Sequence, residues 1–409
     1  MKALGILRAM SFPLALTFAF CLLAGSVCAQ DVGGDIGGGS IFRPKNPEAK
    51  RKPKTGNNTT KPNSRTSRTA AATADRIEEL LDDGNSARDA GKFTEAEEAY
   101  QGVLKLRAKD PRAAYGLGNI YSDQQRWDDA EAAYRNAVAW SPNNVDAQVA
   151  LSVLLVLPRA GADNAKRFAE AESFARRAVQ IDPKLAVAWD RLGVALQSRA
   201  IYNSETEHCH RRAIELDPQF AVAYVHLGKV LNRTNRGSEA VPFYEKASEL
   251  AKDAPTLNLI ADSLQGEQLW PQSEPVLKRA LELEPKNSTS LTLMGRYLVV
   301  YKRYAEAEPF LRAATEVSTK AFTPFILLGR TYLGLDRLPE AESTFDKASS
   351  LAMLGEKKQV AGLFGFEGVG DGYMKAKQKE NAARVYQRSL DLDPGNKNVE
   401  QKLAKARQK

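Results

Sequence analysis

The sequence predicts an all-α protein in which about nine helical hairpins stack side by side and a last helix closes the stack. A pattern of small and large apolar residues returns about every 34 residues from Ile77 onward, and a period of this length is typical of a repeat array. Within each copy the apolar residues lie three or four positions apart, which gives each helix one face to bury. At 409 residues the chain exceeds one ordinary core, but a repeat array escapes that limit because each unit packs only on its neighbours.

The first helix of each copy is marked by a glycine within a short aromatic or aliphatic segment. The segment YGLGNIY at 115–121 has counterparts around Gly193, Gly228, Gly295 and Gly329. We expect these glycines where two helices cross, because a larger side chain would hold the helix axes apart. The glycines therefore place the contact between the two helices of a hairpin.

The second helix of each copy opens with a small residue and has a large residue four positions later. Ala96 with Tyr100 and Ala130 with Tyr134 show this pairing. Several copies then end in a proline such as Pro142, which cannot continue a helix. Each copy is thus predicted to be an antiparallel helix pair.

Together these segments resemble the tetratricopeptide repeat family over nearly all of residues 77–396. The resemblance implies a right-handed α-solenoid, with the array at 75–396 and a capping helix at 397–409. Ser152 replaces the glycine in the third unit, which also has extra residues, and the sixth unit has Ala261 there. The nine predicted units are 77–110, 111–144, 145–185, 186–220, 221–253, 254–287, 288–321, 322–355 and 363–396.

The N-terminal 29 residues have the order of a secretory signal peptide. Lys2 and Arg8 precede the apolar run 14–25, and small residues at 27–29 follow as a cleavage site. We therefore predict export to the periplasm or the extracellular space. The alternative is an uncleaved segment that anchors the protein in a membrane.

Residues 30–74 are predicted to form a disordered linker, because glycine, proline and polar residues leave too little apolar surface to bury. Of the net charge of +8, the linker contributes nine basic against three acidic residues, and the signal segment adds two more positive charges. The array itself is therefore neutral, which argues against a nucleic-acid partner. The basic linker suggests, as an alternative to a plain spacer, weak contact of residues 31–74 with an anionic surface.

Residue types that would indicate catalysis or a cofactor do not converge in this sequence, so we predict no enzyme, no cofactor and no metal site. The three histidines His208, His210 and His226 lie near Cys209, which is the only cysteine after the signal segment. Metal ligands on one helix usually lie three or four residues apart, whereas His208 and His210 point to different sides. Packing is therefore the favoured role of His210.

The family resemblance also implies a concave groove, lined by the first helix of each hairpin, that receives a protein or peptide partner. Arg296 and Arg330, one unit apart, are the best candidates to bind an acidic group of that partner. Family members that clamp a terminal carboxylate need lysines where this chain has Leu81 and Tyr115, so we do not predict that activity. The predicted groove residues are Tyr115, Asn119, Asp190, Lys229, Arg233, Asn258, Asp262, Arg296, Arg330, Glu367 and Asp371.

The function predicted from these features is that of an exported scaffold that binds a protein or peptide in its groove and assists the assembly of envelope or secreted complexes. The alternative is a surface tether, in which the basic N-terminal segment binds an anionic lipid or wall polymer while the array displays a partner. Both hypotheses describe a protein without catalytic activity.

Overall fold

The computed structural model describes residues 45–48, 65–159 and 161–408. The regular structure of these residues consists of twenty α-helices and contains no strand. The first ten helices are α1 Arg65–Asp89, α2 Phe93–Leu106, α3 Pro111–Asp123, α4 Trp127–Trp140, α5 Val145–Leu155, α6 Asn164–Ile181, α7 Ala186–Ser198, α8 Ser204–Leu216, α9 Ala221–Arg233 and α10 Gly237–Leu250. The second ten are α11 Ala254–Gly266, α12 Trp270–Leu283, α13 Ser288–Val300, α14 Tyr304–Val317, α15 Phe322–Gly334, α16 Leu338–Leu351, α17 Lys357–Ala361, α18 Phe366–Lys375, α19 Lys379–Leu392 and α20 Lys397–Arg407.

Consecutive helices pack in pairs from α1 with α2 to α15 with α16, and α18 packs with α19 in the same way. We number these pairs as hairpins 1 to 9. The short helix α17 lies between hairpins 8 and 9, and α20 packs on α19 after the last hairpin. The all-α prediction of about nine stacked hairpins and a closing helix is confirmed.

Each repeated glycine lies against the large residue of its own hairpin. A Cβ atom on Gly118 would lie 2.5 Å from the ring of Tyr134, and one on Gly228 would lie 2.9 Å from the ring of Tyr244. Distances below 3.0 Å are not found between real Cβ atoms and their neighbours, so an alanine would force the ring to move. The small residue therefore lets the two helices of a hairpin approach, as the sequence pattern predicts.

The turn between the two helices of a hairpin contains one residue in the left-handed region. Gly91 has φ +72°, whereas Gln125 (φ 59°) and Lys302 (φ 57°) adopt the same conformation with a side chain. Such residues end the first helix, because the left-handed conformation reverses the chain direction. The antiparallel hairpin thus depends on a left-handed residue that is a glycine in hairpins 1 and 3, at Gly91 and Gly161, and carries a side chain in the other described hairpins.

The structure differs from the sequence prediction before the array, in the start of α1 and in the location of residues 45–48. Helix α1 begins at Arg65, inside the segment 30–74 that was expected to be a linker. Residues 45–48 lie against the array rather than away from it, as described below. Residues 1–44 and 49–64, including the predicted signal peptide and most of the linker, lie outside the described residues. Among the helices that are described, none is both long and apolar enough to cross a membrane.

The first helices of the hairpins form an inner layer. Neighbouring first helices such as α9 and α11, or α13 and α15, contact each other directly, while each second helix contacts the next first helix. Because the first helices lie closer together than the second helices, the stack bends around them. The exposed faces of α1, α3, α5, α7, α9, α11, α13, α15 and α18 therefore line one surface, which we call the groove.

Candidate functional site

A short segment of the chain itself, residues 45–48, lies in the groove on hairpins 1 and 2. The side-chain amide of Asn85 on α1 donates from Nδ2 to the carbonyl of Pro47 at 2.9 Å. The amide of Asn119 on α3 donates in the same way to the carbonyl of Lys45 at 3.0 Å. The two bonded carbonyls are two residues apart, as in an extended chain, where alternate carbonyls face the same side.

The two asparagine amides are held in place by tyrosines of the second helices. Tyr100 donates its hydroxyl to Oδ1 of Asn85 at 2.7 Å, and Tyr134 donates to Oδ1 of Asn119 at 3.0 Å. Since the amide oxygen is occupied, the NH₂ group of each asparagine points into the groove. Each hairpin thus presents one fixed donor to a peptide backbone.

The side chain of Asn46 is bound as well. Its Oδ1 accepts a hydrogen bond from Nη1 of Arg88 at 2.9 Å, and its Nδ2 donates to Oδ2 of Asp89 at 2.9 Å. Arg88 is itself 1% exposed and donates from Nε to Asp123 at 2.8 Å. Arg112 donates to the carbonyl of Glu48 at 3.3 Å, at the exposed end of the segment. The site therefore contacts both the backbone and one side chain of the segment.

Of the predicted groove residues, Asn119 is part of this site, and Tyr115 supports it from behind. Tyr115 is 3% exposed, and its ring centroid lies 5.9 Å from that of Tyr134. Burial raises the pKa of Tyr115, so its hydroxyl stays neutral. The ring packs under the site and adds no charge to it.

Asp190 lies in a buried cluster between hairpins 4 and 5. Its Oδ1 lies 2.9 Å from Nδ1 of His210 and 2.8 Å from Nδ1 of His226. Gln197 lies with Nε2 2.8 Å from Nε2 of His210, and an amide NH₂ is a donor, so His210 accepts there and carries its proton on Nδ1. Both imidazoles therefore donate to the same carboxylate oxygen.

The same three side chains have the ligand types of a metal site, with their ligand atoms within 4.8 Å of one another. A metal would have to replace the Nδ1–H donors, and it would lie beside Nη2 of Arg191, which is 2.7 Å from Oδ2 of Asp190. A cation next to a guanidinium is electrostatically unfavourable. The geometry therefore favours a packing role for Asp190, His210 and His226.

His208 and Cys209 take no part in that cluster. The ring of His208 stands edge-on to Trp189 with 5.6 Å between centroids, so it points away from His210. Cys209 is 1% exposed, and burial raises the pKa of its thiol to about 12. A thiol that stays protonated is a poor nucleophile.

Four predicted groove residues on α9, α11 and α13 are bonded to neighbouring helices. Nη2 of Arg296 lies 2.6 Å from Oδ1 of Asp262, and its Nε donates to Gln265 at 2.6 Å. Asn258 accepts from Ser290 at 2.7 Å. In the same way, Arg233 donates from Nε to Glu267 at 2.8 Å. These polar groups join successive first helices, so a ligand of Arg296 would have to share it with Asp262.

Lys229 and Arg330 are different, because neither makes a hydrogen bond or an ion pair within the part of the chain that the structure describes. Both side chains are half-buried. Nε of Arg330 is fully shielded from solvent and has no partner. Burial lowers the pKa of both groups, against the attraction of Glu267 in the case of Lys229. A shielded cation without a partner is unfavourable, so an acidic ligand group would relieve it.

Glu367 and Asp371, the last predicted groove residues, share an ion pair with one lysine of the closing helix. Lys402 of α20 lies 2.8 Å from Oε1 of Glu367 and 2.7 Å from Oδ2 of Asp371. Tyr386 also donates its hydroxyl to Asp371 at 2.6 Å. These carboxylates hold α20 on the array.

Sequence reasoning did not identify the site of residues 45–48. Asn85, Arg88 and Asp89 are not among the predicted groove residues. The signal present in the sequence was the recurrence of asparagine directly after Gly84 and Gly118, with a tyrosine fifteen positions further on in both copies. Two equal donors one repeat apart are suited to an extended backbone.

Comparison with known proteins agrees with the repeat assignment. Models described as tetratricopeptide repeat match residues 81–145, 121–186 and 221–253. Cellulose synthase operon protein C of Xanthomonas axonopodis pv. citri (strain 306) is 41% identical over 76 residues, which is 18% of this chain. The matched stretch spans only 5% of that protein.

Among solved structures, the crystal structure of MamA is 24% identical, covering 41% of this chain and 93% of that one with a TM-score of 0.35. YrrB, described as a TPR protein with an unusual peptide-binding site, is 22% identical, covering 43% of this chain and 91% of that one with a TM-score of 0.34. Repeat models match parts of the chain, and the stacked helix pairs with glycine at the crossing continue beyond those parts, so the chain contains tetratricopeptide repeats.

Proposed function

We propose that this protein is an exported scaffold whose groove binds an extended segment of a partner protein and so assists the assembly of envelope or secreted complexes. Tetratricopeptide repeat proteins are interaction scaffolds and typically non-catalytic. The single observation behind the binding mode is the pair of amide donors, Asn85 and Asn119, each bonded to a backbone carbonyl of residues 45–48. Binding through the backbone suits a scaffold, because it works for many sequences.

Hairpins 5 and 8 supply the charge in the groove that we propose for partner choice. Arg330 has a shielded Nε without a partner among the described residues, and Lys229 is also unpaired there. A carboxylate is the group that a guanidinium binds best, with two parallel hydrogen bonds. We therefore propose that the partner places an acidic side chain or a terminal carboxylate at Arg330.

The test is capture of partner proteins by the purified chain and by the variant Arg330→Glu. The control is Arg312→Glu, which makes the same charge reversal at an exposed position on the second helix α14, away from the groove. A protein captured by the wild type and by Arg312→Glu, but lost with Arg330→Glu, supports groove binding. Equal capture by all three chains would rule out the role of Arg330.

Export rests on the sequence of residues 1–29 and has its own test. The mature protein should be found outside the cytoplasm and should begin near Gln30, which N-terminal sequencing measures. A chain that keeps its first 29 residues in the membrane fraction would instead support the anchor. A chain that stays in the cytoplasm would contradict both.

A second candidate function is the surface tether, which the excess of basic residues in 31–74 favours. Replacing Lys50, Arg51, Lys52, Lys54 and Lys61 with glutamine removes most of this charge and leaves residues 45–48 intact. If the protein is a tether, this variant should lose its salt-sensitive binding to anionic vesicles but keep its partner. Unchanged vesicle binding would contradict the tether.

A further inference from the structure

The segment Lys45-Asn46-Pro47-Glu48 occupies the groove of hairpins 1 and 2 with contacts that suit its sequence. The amide of Asn46 both accepts from Arg88 and donates to Asp89, which an aspartate or a leucine could not do. Pro47 is buried, and it has no backbone N–H that would need a partner there. The carbonyls on either side of Asn46 are the two that the asparagine donors bind. The contacts of the Asn46 side chain therefore depend on the sequence of the segment, whereas the contacts of its backbone carbonyls do not.

The same chain can supply this segment without strain. Arg112 contacts both the carbonyl of Glu48 and Oε2 of Glu78, so the end of the segment lies near Glu78 on α1. Glu78 is thirteen residues beyond Arg65, or about 20 Å along the helix. The sixteen residues 49–64 can span up to about 50 Å, so they are long enough to connect the two points.

We infer that hairpins 1 and 2 form a binding site for an extended peptide with asparagine followed by proline, and that residues 45–48 occupy it as an intramolecular competitor. The inference rests on the proposed groove-binding function and adds where and with what chemistry an extended segment binds. A partner that uses this end of the groove must displace residues 45–48. The groove around Arg330, on hairpin 8, is not covered by the segment.

A tether of this length sets the strength of the competition. Short linkers give an effective concentration in the millimolar range. A segment with a dissociation constant of about 100 μM would then fill its own site about nine-tenths of the time, and a competing peptide would bind about tenfold more weakly. Removal of residues 45–48 should therefore tighten the binding of a competing peptide about tenfold.

The experiment measures binding of a fluorescent peptide with the sequence of residues 43–50, RPKNPEAK, to the full chain by fluorescence polarisation. In one variant, residues 45–48 are replaced by Gly-Ser-Gly-Ser, which keeps the linker length. In the control, residues 57–60 are replaced by the same four residues. We expect about tenfold tighter binding to the first variant and unchanged binding to the control.

Two further variants locate the site on the released chain. Asn119→Ala in the background of the 45–48 replacement should weaken peptide binding at least tenfold. A peptide with alanine in place of Asn46 should bind weakly to the 45–48 replacement in which Asn119 is intact. Equal affinity of the peptide for the wild type and the 45–48 replacement would overturn the inference, as would the absence of any binding to the replaced chain.

The test also distinguishes a second copy of the chain as the source of the segment. If residues 45–48 reached a neighbouring molecule instead, the wild type would form dimers at micromolar concentration and the 45–48 replacement would not, as sedimentation velocity measures. That result would overturn the intramolecular form. Failure of these experiments leaves the Arg330 capture assay unaffected, so the two proposals fail separately.

Discussion

Hairpins 1 and 2, whose groove is filled by residues 45–48, differ from hairpin 8, whose groove cation Arg330 has no partner among the described residues. In hairpins 1 and 2 the residue after the glycine is an asparagine, and a tyrosine fifteen positions later orients it. In hairpin 8 the same two positions are Arg330 and Phe345. Phenylalanine packs against Gly329 as tyrosine does elsewhere, but it has no hydroxyl to offer.

Hairpin 5 is intermediate between the two. Tyr244 occupies the tyrosine position, yet its partner position is Lys229, and the Tyr244 hydroxyl is buried without a hydrogen-bond partner in the described structure. An ammonium group is a donor only, although the tyrosine oxygen could accept from it. The large residue of the second helix thus fills space in hairpins 1, 2, 5 and 8, but of these four it orients the groove side chain only in hairpins 1 and 2, where a hydroxyl meets an amide oxygen.

The largest expected effect is on the packing that both regions share. Gly228→Leu should lower the free energy of unfolding by about 1–3 kcal/mol, because the new side chain meets the ring of Tyr244. Gly266→Leu is the matched control, since a Cβ atom there has nothing within 4 Å. Thermal unfolding followed by circular dichroism measures both. A neutral Gly228→Leu would show that the glycine is not needed for the crossing.

Acidification should weaken the boundary between the two regions, where the buried cluster joins hairpins 4 and 5. Burial lowers the pKa of His226 to about 4, despite the attraction of Asp190. The unfolded chain takes up this proton below pH 6.5 while the folded chain does not, so stability is full above pH 6.5 and is lost as the pH falls towards 4. From pH 7 to 5 the loss is about 2 kcal/mol.

The variant His226→Gln checks the cause of this acid sensitivity. It removes the titrating group but keeps a polar side chain beside Asp190, and it leaves His210 and Arg191 in place. We expect the drop in melting temperature between pH 7 and pH 5 to be clearly smaller than in the wild type. An equal drop in both chains would assign the effect to other groups.

A smaller effect separates the two tyrosine environments directly. Tyr134→Phe should cost about 1–2 kcal/mol, because Oδ1 of the fully buried Asn119 loses its donor. Tyr244→Phe should be neutral or slightly stabilising, since the hydroxyl that it removes has no hydrogen-bond partner in the described part of the chain. Chemical denaturation of the two variants compares them. Equal costs would contradict the distinction drawn between hairpins 2 and 5.

The smallest expected effect concerns Arg330, whose Nε has no partner among the described residues. Arg330→Met should raise the free energy of unfolding by about 0.5–1 kcal/mol, because it removes a shielded charge and keeps the bulk of the side chain. The same variant should lose an acidic partner. Denaturation and the capture assay together check the trade-off, and a clear loss of stability would show that Arg330 is paired after all.

The regular part of the fold was predictable because it depends on local spacing. Glycine at the crossing, a large residue in the second helix and a proline at its end recur in the sequence, and each acts within one hairpin. The predicted hairpins and the closing helix follow from that repetition. The start of α1 was missed, because residues 65–74 contain only arginine, threonine, serine and alanine and lack an apolar period that would mark a helix.

Which charged groove residues are paired could not be predicted from the sequence. The residues predicted to line it were chosen by position, and position does not tell whether a charge is free or used between helices. Arg296 and Arg330 are equivalent in the repeat, yet among the described residues only Arg296 has an aspartate and a glutamine within reach on the first helix of the preceding hairpin. That difference depends on neighbours about one repeat away.

The repeat, the hairpin and the order of helices follow from the amino-acid sequence alone, because helix periodicity and a small residue at each crossing are properties of short segments. What fills the groove depends on contacts that form only in the folded chain. Asn119 meets the carbonyl of Lys45 from 74 positions away, and a backbone carbonyl leaves no trace in the amino-acid pattern. A contact between a side chain and a distant backbone can be found only once the chain is folded.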